Sequence, residues 1–329
     1  MTEKMTILVG TSGQGVLRSA DAGDNWNRVG IGQGIHSDAV IRCLAVHPDK
    51  PNFIYAGSDK GIYTSDDAGA TWSLSENPLN DYTVWSLAID GQDPDLMYAG
   101  TGTPTPTVCF RSRDGGSTWE KTSMEAAAEC PAVGTPRVTG IAIDPTDAKS
   151  IWVGIEVDGL RHTADGGDTW TTIDYSDIPN MDIHNVAVSA GPPKTVVVVV
   201  NNDVYTSTDN GTTWKSIGVR EGFDLGYPRG IKVQPGSPNV IFLTLGDTTP
   251  GSTGCIMRSK DTGQNWERLP LPVEPNTAMW VVNAQPADPK IVLAGSRYGY
   301  LYRSDDGGDS WSKLKREFSE ISSVLWVAA

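Results

Sequence analysis

Basic charge is scarce in this chain: 26 Lys and Arg stand against 40 Asp and Glu, for a net charge of −14. Proteins that grip phosphate backbones do so with clustered Lys and Arg. No nucleic-acid partner is therefore expected, and no anionic membrane surface either. Cysteine is also rare, and the four residues Cys43, Cys109, Cys130 and Cys255 show no CxxC spacing. Free thiols are the default for such a set; Cys109 and Cys130 are the two that could meet across one face. Four histidines with no His-x-x-x-His or Glu-x-x-His pair give no reason to expect a metal, and no other cofactor is expected. Long hydrophobic runs are missing, and a run such as Thr195–Val200 has strand length, not membrane-span length. The start, Met1-Thr2-Glu3-Lys4-Met5, has no basic segment followed by an apolar one, so no signal peptide is read and a cytoplasmic location is expected. A hydrophobic content of 38% is low for one large core and suits a core divided into thin layers.

What the chain does have is repetition. Ser/Thr-x-Asp-x-Gly-x-x-Trp occurs seven times, with aspartates Asp21, Asp67, Asp114, Asp165, Asp209, Asp261 and Asp306. The matching tryptophans are Trp26, Trp72, Trp119, Trp170, Trp214, Trp266 and Trp311, spaced 46, 47, 51, 44, 52 and 45 apart. The repeat fills residues 1–329 as one domain, and a period in this range signals a solenoid, propeller or array. In the clearest copy Val40–His47 alternates as a strand, Phe53–Ala56 is a second, Ile62–Ser65 a third and Trp72–Ser75 the start of a fourth. Turns rich in Pro, Asn, Asp and Gly separate them. Four short antiparallel strands per repeat, A to D, describe the blade of an all-β, seven-bladed propeller.

The motif occupies the C–D turn. Its Asp suits a loop acceptor of backbone N–H groups. Its Gly supplies a positive φ, its Trp a large ring to bury between blades, and its Ser a local hydrogen bond. Residues 5–10, 15–19 and 25–29 read as B, C and D with no A before them, and Ile321–Val327 reads as an A strand with nothing after it. The C-terminal strand is therefore expected to complete the first blade and close the ring.

All seven motifs resemble the Asp-box, or bacterial neuraminidase repeat, and Ala-Val-His-Pro-Asp…Ile-Tyr-Ala-Gly-Ser (residues 45–58) is similar to Asp-box blades. Such repeats occur in sialidases, xyloglucan-active glycosidases, sortilin-type receptors and photosystem II assembly factors, so the resemblance implies a fold more than a function. It implies that the site lies on the D–A and B–C loop face, away from the motif aspartates, which are then structural. Sialidases also carry an arginine triad, a Tyr–acid pair and an Arg-Ile-Pro segment on six blades; this chain has seven motifs and no Arg-Ile-Pro. Xyloglucan-type enzymes place their carboxylates between two propellers, whereas one is present here.

On the loop face the longest segments are residues 29–39, 120–137, 174–182 and 220–227, with 100–108 and 246–254 inside blades. Aligning the A strands, the residue two before the first core aliphatic is Arg42, Trp85, Thr139, His184, Arg229, Trp280 and Ser323. Two arginines, two tryptophans and a histidine in one ring suit an anion-plus-aromatic pocket. The ligand-binding set is Arg42, Trp85, Arg137, Arg229, Trp280 and Arg297, and the catalytic candidates are His184, Tyr298 and Glu156. Further loop candidates are His36, Asp38, Asp158, Arg220 and Tyr227. A carboxylate pair for glycoside hydrolysis would come from Asp38, Glu156, Asp158, Asp177, Asp182 or Asp224. No phosphate-cradling Gly loop or nucleophile elbow is present.

Three readings follow. The first is a propeller binding a small anionic or carbohydrate-like molecule, or a protein, through this face. The second is a metal-independent glycosidase-like hydrolase or a lyase, with His184 as base, Arg42 and Arg229 on an anionic group, and Tyr298 or a loop carboxylate as acid. The third, a photosystem assembly factor, fits the repeat but lacks the export segment and dense arginine patch expected of one.

Overall fold

The computed structural model describes residues 5–131, 133–174 and 176–328; residues 1–4, read above for a signal, lie outside them. The described chain forms seven four-stranded antiparallel sheets, the blades of a seven-bladed propeller. Blade 2 is typical: A is Ile41–His47, B is Lys50–Ser58, C is Gly61–Ser65 and D is Ser73–Leu74. The inner A strands of blades 3 to 7 are Thr83–Ile89, Val138–Asp144, Ile183–Ser189, Tyr227–Val233 and Met279–Gln285. Blade 1 is closed as the sequence implies. Its strands B, C and D are Met5–Thr11, Val16–Ser19 and Asn27–Val29, and its strand A is the C-terminal Ile321–Ala328.

Burial follows from stacking. Strand B lies between neighbouring blades on both faces, so Thr195–Val200 is buried throughout, whereas the outer D strands are largely exposed. The apolar residues form seven separate buried clusters. One joins Leu8 and Val16 of blade 1 to Ile54, Tyr63 and Trp72 of blade 2, as expected for a core divided among layers.

The motif turns also behave as read. Ser65 Oγ donates to Asp67 Oδ1 and accepts the Gly69 N–H; Asp67 accepts the Ala70 and Thr71 N–H groups and the Thr71 hydroxyl. Gly69 has φ +77°, and a Cβ there would meet Leu8 Cδ2 at 2.6 Å. In six copies the Trp indole donates to the carbonyl of the motif Gly. Trp214 is the exception: its Nε1 has no partner, and its ring meets Trp152 edge-on at 5.8 Å.

One expectation needs correction. Strand D starts after the motif Trp, not at it, because the Trp72 N–H leaves the sheet to donate to Gln33 O. Three short turns of helix sit in D–A loops of the all-β ring: Val219–Gly222 forms one α turn, and Ile31–Gln33 and Pro78–Asp81 form 3-10 turns. Cys109 and Cys130 are unpaired, as are Cys43 and Cys255. No helix among the described residues is long and apolar enough to cross a membrane.

Candidate functional site at the mouth of the channel

Every A strand carries a β-bulge near its start, and the bulges build the site. In blade 2, Ile41 pairs with Ser58 and Cys43 with Gly57, leaving Arg42 unopposed. The same one-residue shift isolates Trp85, Thr139, His184 and Trp280. In blade 6 it falls between Pro228 and Ile231, around Arg229. In blade 1 it isolates Ser322, between Ile321 and Ser323. A bulge re-aims the extra side chain out of the alternating pattern, here toward the channel axis. These seven residues line one cavity of about 440 Å³. The sequence alignment is thus correct in six blades and one residue out in the seventh. Ser323 is a paired strand residue whose Oγ accepts the Leu44 N–H, and Ser322 takes the ring position.

Four arginines converge on the cavity in two matched stacks. The Arg42 guanidinium lies 4.0 Å and that of Arg137 4.8 Å from the Trp85 ring centroid. Across the ring, Arg229 and Arg297 lie 4.2 and 4.3 Å from the Trp280 centroid. Such cation–π contacts fix planar guanidinium groups in place, so the tryptophan faces serve as platforms for arginine, not for a sugar ring. Among the described residues two carboxylates line the cavity, and both are committed. Glu156, 7% exposed, pairs with Arg137, and Glu320 pairs with Arg297 at 3.0 Å. Among the described residues neither Arg42 nor Arg229 has a carboxylate partner within 4 Å, and Arg42 Nε is buried without a hydrogen bond. Burial lowers the Arg137 guanidinium to about 10, and the charges of Arg229 and Arg42 push the same way. The cavity is a cationic well in an acidic protein.

His184 is 3% exposed. Its Nδ1 lies 2.8 Å from the Pro228 carbonyl, which can only accept, so Nδ1 carries the proton and Nε2 the lone pair. Burial holds the imidazole well below its usual range, with Arg229 adding to the effect; the ring is neutral at pH 7. Asp182 Oδ2 lies 3.8 Å from Nε2 and accepts from Asn201 Nδ2 at 2.9 Å. Burial raises the Asp182 carboxyl. Tyr227 completes this side, its ring 5.0 Å from His184.

Of the sequence candidates, the cavity gathers Arg42, Trp85, Arg137, Glu156, His184, Tyr227, Arg229, Trp280 and Arg297. Tyr298 does not line it and is 45% exposed. His36, Asp38, Asp158, Asp177, Arg220 and Asp224 also stay outside; Asp158 is bound to Arg161 and Asp224 to Arg268. Sequence reasoning missed Glu320, Thr103 and Thr249. A signal for Glu320 existed. It sits two residues before its bulge, the register of Arg137 before Thr139 and Tyr227 before Arg229. Thr103, Glu156 and Arg297 likewise share a register, each following its B strand. The motif turns lie at the other end of the blades. Among the described residues, no group of three or more His, Cys, Asp or Glu could hold a metal ion.

The chain is 26% identical over 341 residues to the xyloglucanase Xgh74A of Acetivibrio thermocellus, covering 88% of this chain and 39% of that protein. It is 23% identical to a xyloglucanase of Hypocrea jecorina, covering 91% and 41%. It therefore spans about two-fifths of the length of these curated relatives. Among solved structures, the GH74 xyloglucanase of Xanthomonas campestris superposes with a TM-score of 0.62 at 22% identity, over 88% of this chain and 46% of that one. YCF48 from Cyanidioschyzon merolae gives 0.58 at 17%, over 85% and 87%. At these identities the superpositions establish the fold alone. Residues 202–326 match the sortilin, neurotensin receptor 3 family. Residues 1–221, about two-thirds of the sequence, match the DUF6242 beta propeller domain, and the chain belongs to that family of propellers.

Proposed function

We propose that the channel mouth binds a small anionic, carbohydrate-like ligand, with Arg42 and Arg229 as its principal contacts. The observation that carries this reading is the excess of arginine. Four guanidinium groups face two committed glutamates, and two of the four have no carboxylate partner among the described residues. Preorganised arginines in a recessed cavity recognise carboxylate or phosphate through charge-assisted hydrogen bonds. The carbohydrate class is supported by the xyloglucanases among the relatives. We also infer that the repeat is of the Asp-box type, on the strength of the Ser–Asp–Gly–Trp hydrogen-bond pattern.

A second reading, a glycosidase-like hydrolase or a lyase, is favoured by the same relatives, which are enzymes. Hydrolysis by paired carboxyl groups needs one that is protonated and one that is ionised. Glu156 and Glu320 are each engaged by an arginine, which leaves neither carboxyl free to act as acid or nucleophile, so elimination fits this cavity better. In that chemistry neutral His184 Nε2 would take the proton α to a uronate carboxylate, Arg42 and Arg229 would stabilise the enolate charge, and Tyr227 would protonate the departing oxygen. Tyr227 replaces Tyr298 in that role because it lines the cavity.

Calorimetric titration with galacturonate and glucuronate oligomers, beside neutral xyloglucan oligosaccharides, tests both readings. The acidic oligomers should bind, and Arg42→Ala/Arg229→Ala should weaken them by about a hundredfold or more, at ~1.5–3 kcal/mol for each charged hydrogen bond lost. Unchanged affinity in the double variant removes the cavity from consideration. Unsaturated product, followed by ultraviolet absorbance and lost in His184→Ala, would establish elimination; new reducing ends from neutral xyloglucan would establish hydrolysis.

A further inference from the structure

The same inner strands, together with the A–B turns, line a second, open-mouthed cavity of about 930 Å³ at the opposite end of the channel. Its walls are mostly apolar, with Leu44, Val46, Leu87, Ile89, Ile143 and Trp326 among them. One lysine, Lys232, stands on a wall strand. The fold does not require a cation there. Lys232 pairs across to Phe242, and the residues at the same register in the other blades are Ala45, Ala88, Ala142, Ala187, Asn283 and Leu325.

Lys232 has no ion pair and no side-chain hydrogen bond among the described residues. The acids at the rim do not serve it: Asp90 accepts the Gln92 and Asp93 N–H groups of its own turn, at 2.7 and 2.9 Å, and Asp49 sits on the exposed A–B turn of blade 2. Lys232 is half-buried, its stem against apolar walls and its ammonium still reaching solvent. Burial pulls the Lys232 amine below its usual range. An apolar pocket with one cation on its wall, its two acids set at the rim, selects for a ligand with one opposite charge and a hydrocarbon body.

We propose that this lower cavity is a second ligand site that takes an amphipathic monocarboxylate, with its carboxylate on Lys232 Nζ and its chain against Leu44, Leu87 and Trp326. The site does not depend on the reading of the upper mouth. Calorimetry on the full chain with octanoate, and with octanol as the uncharged control, tests it. Wild type and Lys232→Arg should bind octanoate saturably. Octanol on wild type, and octanoate on Lys232→Met, should bind about tenfold or more weakly, the loss of one charge-assisted hydrogen bond. The Arg42→Ala/Arg229→Ala variant should bind octanoate as wild type does. Equal affinity in Lys232→Met, no saturable binding to wild type at millimolar octanoate, or loss of binding in the arginine variant would each overturn the proposal. Should Lys232→Met not melt as wild type does, the octanol comparison and Lys232→Arg decide the outcome.

Discussion

A motif aspartate spends its carboxylate on its own loop, and that has a consequence for acid stability. The Asn25 amide and side chain hold Asp21 down to about 2, helped by Ser19. The Thr213 hydroxyl and amide do the same for Asp209, and those of Ser310 for Asp306, each to about 2. At Asp67 and Asp261 partial burial works the other way, yet the loop donors prevail and the carboxyls are still lowered. Asp114 and Asp165 are lowered as well. A folded-state pKa below the unfolded one contributes stability above the unfolded value, and that contribution is lost as pH falls through the folded value. The urea midpoint should therefore fall steeply between about pH 4 and 2 as several protons are taken up on unfolding. Asp182, raised by burial, acts with the opposite sign and is one group against seven. A midpoint that stays level across that window would refute the account. At this scale much was legible, because Ser65, Asp67, Gly69 and Trp72 act on one another within eight residues. The Arg–Trp stacks were not, since Arg42 and Trp85 meet only once two blades are side by side.

The bulged A strand is the element that converts a regular blade into a site. It explains both why the alignment found the ring and why it slipped in blade 1. A core aliphatic marks the register in six blades, but in blade 1 Val324 and Leu325 are adjacent and both buried, and counting from Leu325 lands on Ser323. At the chain end two adjacent serines, Ser322 and Ser323, differ only in which one the bulge ejects. The strand C–motif unit has an equally regular role that the sequence displayed without explaining. In four blades the residue before the motif Ser is an arginine that donates to the carbonyl just after the motif Asp of the next blade: Arg18 to Ala68, Arg111 to Gly166, Arg258 to Gly307, and Arg303 to Ala22. Tyr55 makes the equivalent link to Gly115. Arg258 is buried and also pairs with Glu267 and Asp309, each at 2.8 or 2.7 Å. Arg258→Met should lower unfolding free energy by about 1.5–3 kcal/mol, as expected for hydrogen bonds of a charged group. Arg113→Met should cost ~0–1 kcal/mol, because that guanidinium is exposed and its bridges are screened. Equal effects of the two substitutions, measured by urea unfolding, would rule out an interblade tie.

Ring closure couples all seven blades, and the last strand carries both stability and site. Ile321–Ala328 pairs along the full length of Met5–Thr11 and so completes blade 1 with the far end of the chain. It buries Ile321, Val324, Leu325, Trp326 and Val327, each at most 3% exposed. At ~1.5–3 kcal/mol for each large apolar side chain, those five residues represent about as much free energy as the whole stability of a typical domain. Removing residues 320–329 should therefore abolish cooperative melting, not merely shift it. Blade 1 would be left with three strands, and the edge of Met5–Thr11 would be open to pairing with other chains. Trp326→Ala is the milder probe. It should cost about 3–5 kcal/mol as a buried large-to-small change, while leaving Glu320, Ser322 and the upper cavity in place. Ligand binding at the upper mouth should then survive Trp326→Ala below its lowered melting temperature and vanish with the truncation. An unchanged melting temperature in the truncated chain would mean that the ring holds without its closing strand. A sharp loss of upper-mouth affinity in Trp326→Ala would mean that the two ends of the channel are coupled, not independent.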